Sequence, residues 1–544
     1  MQRDCSELKF HFFGSWQKIY CNVYMGWKTL VHNGVLFPPP YERLPPSITI
    51  KYKGQPLTGL TENQEEAFVL YAKHYEKTQY MQDKVFLLNF IKDLKKLFKG
   101  QELKDLKSVD DLLQHVDVVA VVKYLKRYKP KKQQYSEDYK TCTVDGETQP
   151  VSNFRIEPPD LFKGRGTHPL RGKLKARIQP GDVTLNISKG VPIPAPNVPG
   201  KWGEIVHVPE NLWIASWTEV VTGKRKYVFL AQSSTQRQTK DINKYDLARQ
   251  LANTLPRIRT TYMKLLSPSS SLKEKQLGVA IYMIDHLALR VGNEKGKDEA
   301  DTVGVTSLKV ENIQINDGCV FQFDFLGKDS IRYSNQIYFE EMVCQTLAKF
   351  IKGKKPKDPV FGLIRPSHVN EYLHKLMPGL TAKVFRTCNA SLLFWEQLSE
   401  STPSGLKPSK RNEKDKSRIK EAIRFYNRAT VKVAELCNHQ KNVSKSQEEQ
   451  INRLKQQLKT SEKTKTKEIR ERIKDKQMMK NLNLGTSRNN YIDPRITVAY
   501  FKLMKLPLEK AFTKTLRDRF TWATENTPQD WKYVQTPEPV ASSS

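Results

Sequence analysis

Apolar positions along the chain change period several times, and each change predicts a change of element. Between about residues 22 and 85, short alternating runs such as "SITIKYKG" are separated by Pro-rich turns such as "FPPPYERLPP", which predicts a β-containing region. From Gln79 to Lys132 the apolar spacing becomes three and four, in "VFLLNFIKDLKKLF" and "VDVVAVVKYLKRY". That spacing predicts helices, ending in the basic tail "KRYKPKKQQ". The stretch "SNFRIEPPDLFKGRGTHPLRGKLKARI" is rich in Gly, Pro and Arg and reads as loops with exposed cations. Strand patterns return in "DVTLNIS", "LWIASWTEV" and "KRKYVFL".

From about residue 242 the pattern is mainly helical, beginning "INKYDLARQLANTLPRIRTTYMKLL". One interruption is "CVFQFDFLGKDSIRYSNQIYF", where Phe321, Phe323 and Phe325 alternate with Gln322 and Asp324. The chain then turns through Gly327, Lys328 and Asp329 before strand residues resume, which predicts a β-hairpin with a lysine at its tip. A polar stretch from about 402 to 418 reads as a loop or insertion. Residues 444–480 contain no Gly or Pro and are dense in Lys, Glu and Arg. Ser446 and Glu449 have the spacing of a capping box. Ile451, Leu454 and Leu458 form one thin apolar seam, and Ile469 and Ile473 a second. Two antiparallel helices account for this best, a single long charged helix being the alternative. So narrow a stripe cannot anchor a large core, so the element is expected to project into solvent. No internal repeat is present.

Composition narrows the class. With 544 residues, 38% hydrophobic and 10% aromatic, the chain is long enough for two to four globular domains. No apolar run reaches the roughly 18 residues of a membrane span. The start, "MQRDCSELKFHFFGSW", lacks the three regions of a secretory signal. Seven cysteines without a C-x-x-C pair argue against a zinc framework or a disulfide scaffold, and for a reducing compartment. HExxH and Walker-type glycine loops are missing too, so neither a metal nor a nucleotide cofactor is expected. Charge changes the picture most: 91 Lys and Arg against 58 Asp and Glu leave +33. Such an excess calls for a polyanionic partner, foremost nucleic acid.

Several long motifs then supply candidate chemistry: "LALRVGNEK", "ADTVGVTSL", "FDFLGKDSIRY", "LTAKVFRTCNAS", "LCNHQ" and "LGTSRNNYIDPRITVA", joined by "IEPPDLFKGRGTHP" in the first half. In these the chain resembles the eukaryotic-type DNA topoisomerases IB over roughly residues 26–525. The resemblance implies a transient 3′-phosphotyrosyl bond to DNA, made by Tyr491 without ATP or metal. It assigns Arg290, Arg386 and His439 as donors to the non-bridging phosphate oxygens, and Lys328 as the general acid for the departing 5′-oxygen. A phenol of pKa about 10 is a weak nucleophile at neutral pH, so the site must supply the electrostatics. Guanidinium suits that role, being planar, always charged and able to donate two parallel hydrogen bonds. By the same resemblance Arg165, Asp329 and Asn490 lie at the cleavage site, where camptothecin-like poisons bind, and Lys226 contacts DNA.

The implied architecture is α+β and multidomain. A divergent segment, 1–25, precedes a β-containing cap lobe, 26–235, and a mainly helical catalytic lobe, 236–441, related to tyrosine recombinases. The two lobes would close on duplex DNA as a clamp. The charged helical hairpin, 442–480, links to a small helical C-terminal domain, 481–530, that carries the nucleophile, and a flexible tail, 531–544, follows. A monomer acting in the nucleus is expected. The chain is expected to lack the long charged N-terminal tail common in nuclear members, and "KPKK" at 129–132 is a weak substitute, which keeps the mitochondrion or another DNA-containing compartment open. The hairpin also looks short for the family, so weaker braking of DNA rotation is expected. Two competing readings are a tyrosine site-specific recombinase and a non-catalytic DNA clamp or architectural protein.

Overall fold

Large hydrophobic cores organise the chain in the computed structural model, which describes residues 26–98, 103, 105–128, 134–293, 299–400, 402, 406–409, 415–460 and 463–534. The protein is mixed α+β and divides into two compact units. The expectations for residues 1–25, for "KPKK" at 129–132 and for most of the C-terminal tail lie outside the described residues.

The first unit comprises residues 1–81, 91–161 and 174–237. The three predicted strands form as Val183–Asn186, Trp213–Thr218 and Arg225–Phe229. Val183–Asn186 lies inside a four-stranded sheet, parallel to Glu204–Val206 and antiparallel to Trp213–Thr218. All four of its residues are buried, as expected for an inner strand covered on both faces. A second sheet runs Leu30–His32, Thr141–Val144, Glu147–Pro150. The stretch read as β-containing also holds a helix, Glu62–Ala72. Its start is written in the sequence, because Thr61 and Gln64 close a capping box around it. Helices Lys84–Leu97 and Val119–Arg127 form where the three-and-four spacing put them.

The second unit comprises residues 82–90, 162–173 and 238–544. Its core gathers side chains from Tyr245 to Tyr533, including Met283, Phe323, Phe385, Tyr426 and Phe501. Ile492, Phe512 and Phe520 belong to it, so residues expected as a small C-terminal domain share the core of the helices before them. The first helix starts at Thr235 and runs through Pro256 to Met263. The predicted hairpin forms from Val320–Leu326 and Arg332–Tyr338, with Ile313–Asn316 added as an outer strand. Phe321, Phe323 and Phe325 all face the core. The turn Lys328–Ser330 takes Asp329 to a φ of 66°, an αL conformation that Asp tolerates.

One pairing lay outside the sequence reading: Cys319, at the start of this hairpin, is joined to Cys344 of the helix Glu341–Ile351 by a disulfide, while Cys142, Cys388 and Cys437 are free. Two cysteines 25 residues apart carry no pairing signature, so sequence spacing could not reveal it. Cysteine usage therefore does not by itself assign a reducing compartment.

The charged segment forms two helices, Lys445–Thr460 and Lys463–Met478. They run antiparallel, because Lys480 pairs with Glu448 and Lys476 Nζ donates to Gln450. Ser446, expected at the cap, lies inside the first helix, and Ser444 instead accepts the Gln447 N–H at 3.3 Å. Ile451, Leu454 and Ile473 are buried as the seams required. The second helix does not project freely, however. Asp475 accepts from Arg424 Nε at 2.6 Å and Arg428 Nε at 3.0 Å, and Glu471 accepts from Arg428 at 2.8 Å. Both arginines sit on the helix Lys416–Leu436, so acids on the hairpin dock it where an apolar stripe is too thin to do so. Charge-assisted bonds of this kind contribute roughly 1.5–3 kcal/mol each. An Asp475→Asn variant should therefore lower amide-exchange protection across Lys463–Met478 by about 10- to 100-fold while leaving the helix Ala382–Glu400 unchanged.

Candidate active site

Four stretches of the second unit converge, and hydrogen bonds from one helix join three of them. Arg290 follows the helix Leu272–His286 on a segment whose backbone accepts from Val305 N at 2.9 Å and Thr306 N at 2.7 Å. Two glycines make that pairing possible. A Cβ on Gly304 would lie 2.4 Å from the Gly292 Cα, so the crossing of "VGNEK" and "ADTVGV" requires both. His439 follows the helix Lys416–Leu436, after a turn in which Asn438 takes a φ of 51°. Its carbonyl accepts from Asn483 N at 2.7 Å, and Lys441 N donates to Asn481 O at 2.8 Å. The base of the charged hairpin is thereby closed by backbone bonds.

Arg386 lies inside the helix Ala382–Glu400. Its guanidinium donates to the Ala288 carbonyl and, at 3.0 Å, to that of Cys437. It thus ties down the chain two residues before Arg290 and two residues before His439. Five residues further along this helix, Ser391 donates to the Tyr491 carbonyl at 3.1 Å and accepts from Asp493 N at 3.0 Å. Tyr491 ends the short helix Leu484–Asn490, and Asp493 caps the next helix, Pro494–Leu503, with proline at its first position.

The side chains meet at the Tyr491 hydroxyl. Arg290 Nη2 donates to it at 2.9 Å, the Arg386 guanidinium lies 5.1 Å from the ring centroid, and the His439 ring centroid lies at 4.8 Å. Arg386 is only 5% exposed, and among the described residues no carboxylate pairs with it or with Arg290. Its Nε is buried without a hydrogen-bond partner among them, and so is Nε2 of His439. Burial alone would raise the Tyr491 pKa, but the Arg386 and Arg290 charges and hydrogen bonds outweigh it and leave the phenol below its ordinary value. The same surroundings act on His439. Burial first, then repulsion from the two arginines, lower its pKa from 6.5 to about 3, which keeps the imidazole neutral at pH 7.

Beside these groups opens a cavity of about 380 Å³ lined by Arg165, Arg290, Lys328, Asp329, Arg386 and His439. Lys328 is exposed at the hairpin tip, and among the described residues no ion pair holds it. Arg165 Nη1 pairs with Asp329 at 2.6 Å in an exposed contact of small energetic weight. Asn490 is exposed next to the tyrosine and donates to the Thr486 carbonyl at 3.3 Å. Lys226 belongs to the other unit, on the strand Arg225–Phe229 opposite Trp217. The structure thus brings Arg165, Arg290, Lys328, Asp329, Arg386 and His439 around one cavity and sets Tyr491 against Arg290, Arg386 and His439.

Comparison with known proteins shows the family. Residues 25–230 match the DNA-binding fragment of eukaryotic DNA topoisomerase I, 233–472 its catalytic core, and 463–533 a C-terminal topoisomerase domain. DNA topoisomerase 1 of Caenorhabditis elegans is 40% identical over 563 residues, covering 93% of this chain and 68% of the relative. The chain belongs to the eukaryotic DNA topoisomerase I family. Human DNA topoisomerase 1 is 37% identical, covering 93% of this chain and 72% of its own length. DNA topoisomerase 1 alpha of Arabidopsis thaliana is 38% identical, and the chain spans 59% of it.

Within this member of the topoisomerase I family, two groups near the tyrosine escaped the sequence reading. Ser391 and Ser487 are fully buried, and each is one hydroxyl among many in the sequence. Ser487 carries a weak signal, its spacing of four residues from Tyr491, which puts both on one face of a helical turn. Among the described residues no group of His, Cys, Asp or Glu could hold a metal ion, and no helix is long and apolar enough to cross a membrane.

The depressed His439 pKa has a testable sign. An unfolded chain takes up this proton below pH 6.5, whereas the folded one does so only near pH 3. Folding stability is therefore lost as pH falls through that interval. Chemical denaturation at pH 7 and pH 4.5 should show a smaller acid-side loss in His439→Gln than in the parent.

Proposed function

We propose that this protein is a type IB DNA topoisomerase that relaxes positive and negative supercoils by cutting and rejoining one strand of duplex DNA. One observation carries the reading: a buried tyrosine hydroxyl 2.9 Å from Arg290, beside a second guanidinium that no described carboxylate neutralises. A phosphodiester is the anion that such a pocket fits. Attack by the Tyr491 oxygen forms the O–P bond and breaks the bond to the 5′-oxygen. The phenolic proton leaves to water, and the departing oxygen takes a proton from Lys328. Arg290, Arg386 and neutral His439 donate to the non-bridging oxygens as charge develops there, which needs no metal. The bond energy stays in the phosphotyrosyl link, so the reverse attack by the 5′-hydroxyl reseals the strand without ATP.

In this reading the cap lobe, 26–235, and the catalytic lobe, 236–441, form a clamp that holds DNA mainly through phosphates, Lys226 among the contacts. The hairpin, 442–480, restrains rotation of the cut duplex, and residues 481–530 present the nucleophile. Arg165, Asp329 and Asn490 border the cleaved step and would contact a camptothecin-type inhibitor. The protein works as a monomer on chromosomal DNA in the nucleus, the mitochondrion or another DNA-containing compartment being the alternative.

Supercoiled plasmid of either sign should relax in EDTA without ATP, and should do so without any recombination target, which separates this activity from a site-specific recombinase. Tyr491→Phe should bind DNA normally yet neither relax it nor become covalently attached. Residual nicking by that variant would sink the assignment. Arg290→Ala should slow cleavage on the order of 10²–10³-fold. Deleting residues 446–479 should speed rotation per cleavage event in single-molecule traces, and unchanged rotation would remove the braking role.

A further inference from the structure

We infer that Ser487 is a positioning residue, whose hydroxyl donates to Nδ1 of His439 and so fixes the tautomer with its proton on Nε2, ready to donate to a phosphate oxygen. The inference rests on the proposed role of His439 at the scissile phosphate.

The Ser487 Oγ lies 2.8 Å from His439 Nδ1, and Ser487 is 0% exposed. Either atom of this pair could donate, so the choice depends on where the remaining proton can go. If Nδ1 carried the proton, the serine hydroxyl hydrogen would need another acceptor. Among the described residues the hydroxyl has no other partner, and a buried donor left unsatisfied costs about 1–3 kcal/mol. If the serine donates instead, its hydroxyl and Nδ1 are both satisfied and the imidazole proton must sit on Nε2, which leaves one buried group without a partner among the described residues where the other tautomer leaves two. Nε2 is buried and has no partner among the described residues. The alternative tautomer would leave Nε2 as a bare acceptor. It could then offer a phosphate oxygen nothing but lone-pair repulsion.

Backbone geometry supports the same role. Tyr491 N and Ile492 N both donate to the Ser487 carbonyl at 3.0 Å. The residue that sets the imidazole proton is therefore one helical turn from the nucleophile and moves with it. His439, across the base of the charged hairpin, reaches the same segment through its carbonyl and Asn483 N. Docking the tyrosine segment and setting the tautomer become one event.

Two measurements test this, one of them independent of activity. In the full-length protein labelled with 15N-histidine, Nδ1 of His439 should be an unprotonated, hydrogen-bonded acceptor and Nε2 protonated. A protonated Nδ1 would overturn the inference. Single-turnover cleavage of a duplex oligonucleotide should slow about 10- to 100-fold in Ser487→Ala. It should slow more in His439→Ala, and Ser487→Ala should add nothing on the His439→Ala background. An equal Ser487→Ala effect on both backgrounds, or no effect beside a slow His439→Ala, would reject the positioning role alone. His439→Ala at the parent rate would remove the underlying reading and this inference with it.

Discussion

Positive charge on Arg290 and Arg386, which no carboxylate among the described residues pairs, is the constraint on which the rest of the second unit depends. A buried guanidinium is costly unless paired, and in Arg386 partial compensation comes from two backbone carbonyls and the Tyr491 ring rather than from a described carboxylate. On the function proposed above, the missing partner is the phosphate of bound DNA. Two consequences follow from the same field. Tyr491 is drawn toward its phenolate despite its burial, and His439 is held neutral. A site prepared in this way has its dipoles and charges oriented before phosphate enters, so little reorganisation remains for the reaction itself.

The helix Ala382–Glu400 converts that constraint into geometry. Arg386 holds the backbone ahead of Arg290 and ahead of His439, and Ser391 holds the backbone on either side of the tyrosine. Asn389 adds a bond to the Asp285 carbonyl near the end of the preceding helix. One helix therefore fixes three loops that are far apart in sequence. This is how loop residues acquire the precision usually reserved for regular elements.

The charged hairpin follows a different logic. Its base is closed by the Lys441–Asn481 and Gln440–Leu482 pairings, so its length and sequence are not transmitted directly to Tyr491. Loop-closure entropy changes slowly with length, which lets such an excursion vary at little thermodynamic cost. Its acids nevertheless meet Arg424 and Arg428 on the helix that ends three residues before His439. A sequence scan for apolar stripes leaves this docking invisible, because the contact is made of ion pairs.

What the sequence determined by itself was periodic or strung along long motifs. Alternation at Phe321, Phe323 and Phe325 specified the hairpin and put Lys328 at its tip, since a strand's period of two leaves no choice of face. The motifs around Arg290, Arg386, His439 and Tyr491 announced their chemistry through resemblance. Only the tertiary structure decided that these groups meet, that burial and two arginines lower the histidine pKa, that Ser391 bonds the Tyr491 carbonyl and Ser487 the His439 ring, and that Cys319 pairs with Cys344. Local pattern records which face of an element is apolar. It holds no record of distances between residues 200 positions apart, such as the 201 that separate Arg290 from Tyr491, and those distances set both the field and the hydrogen bonds.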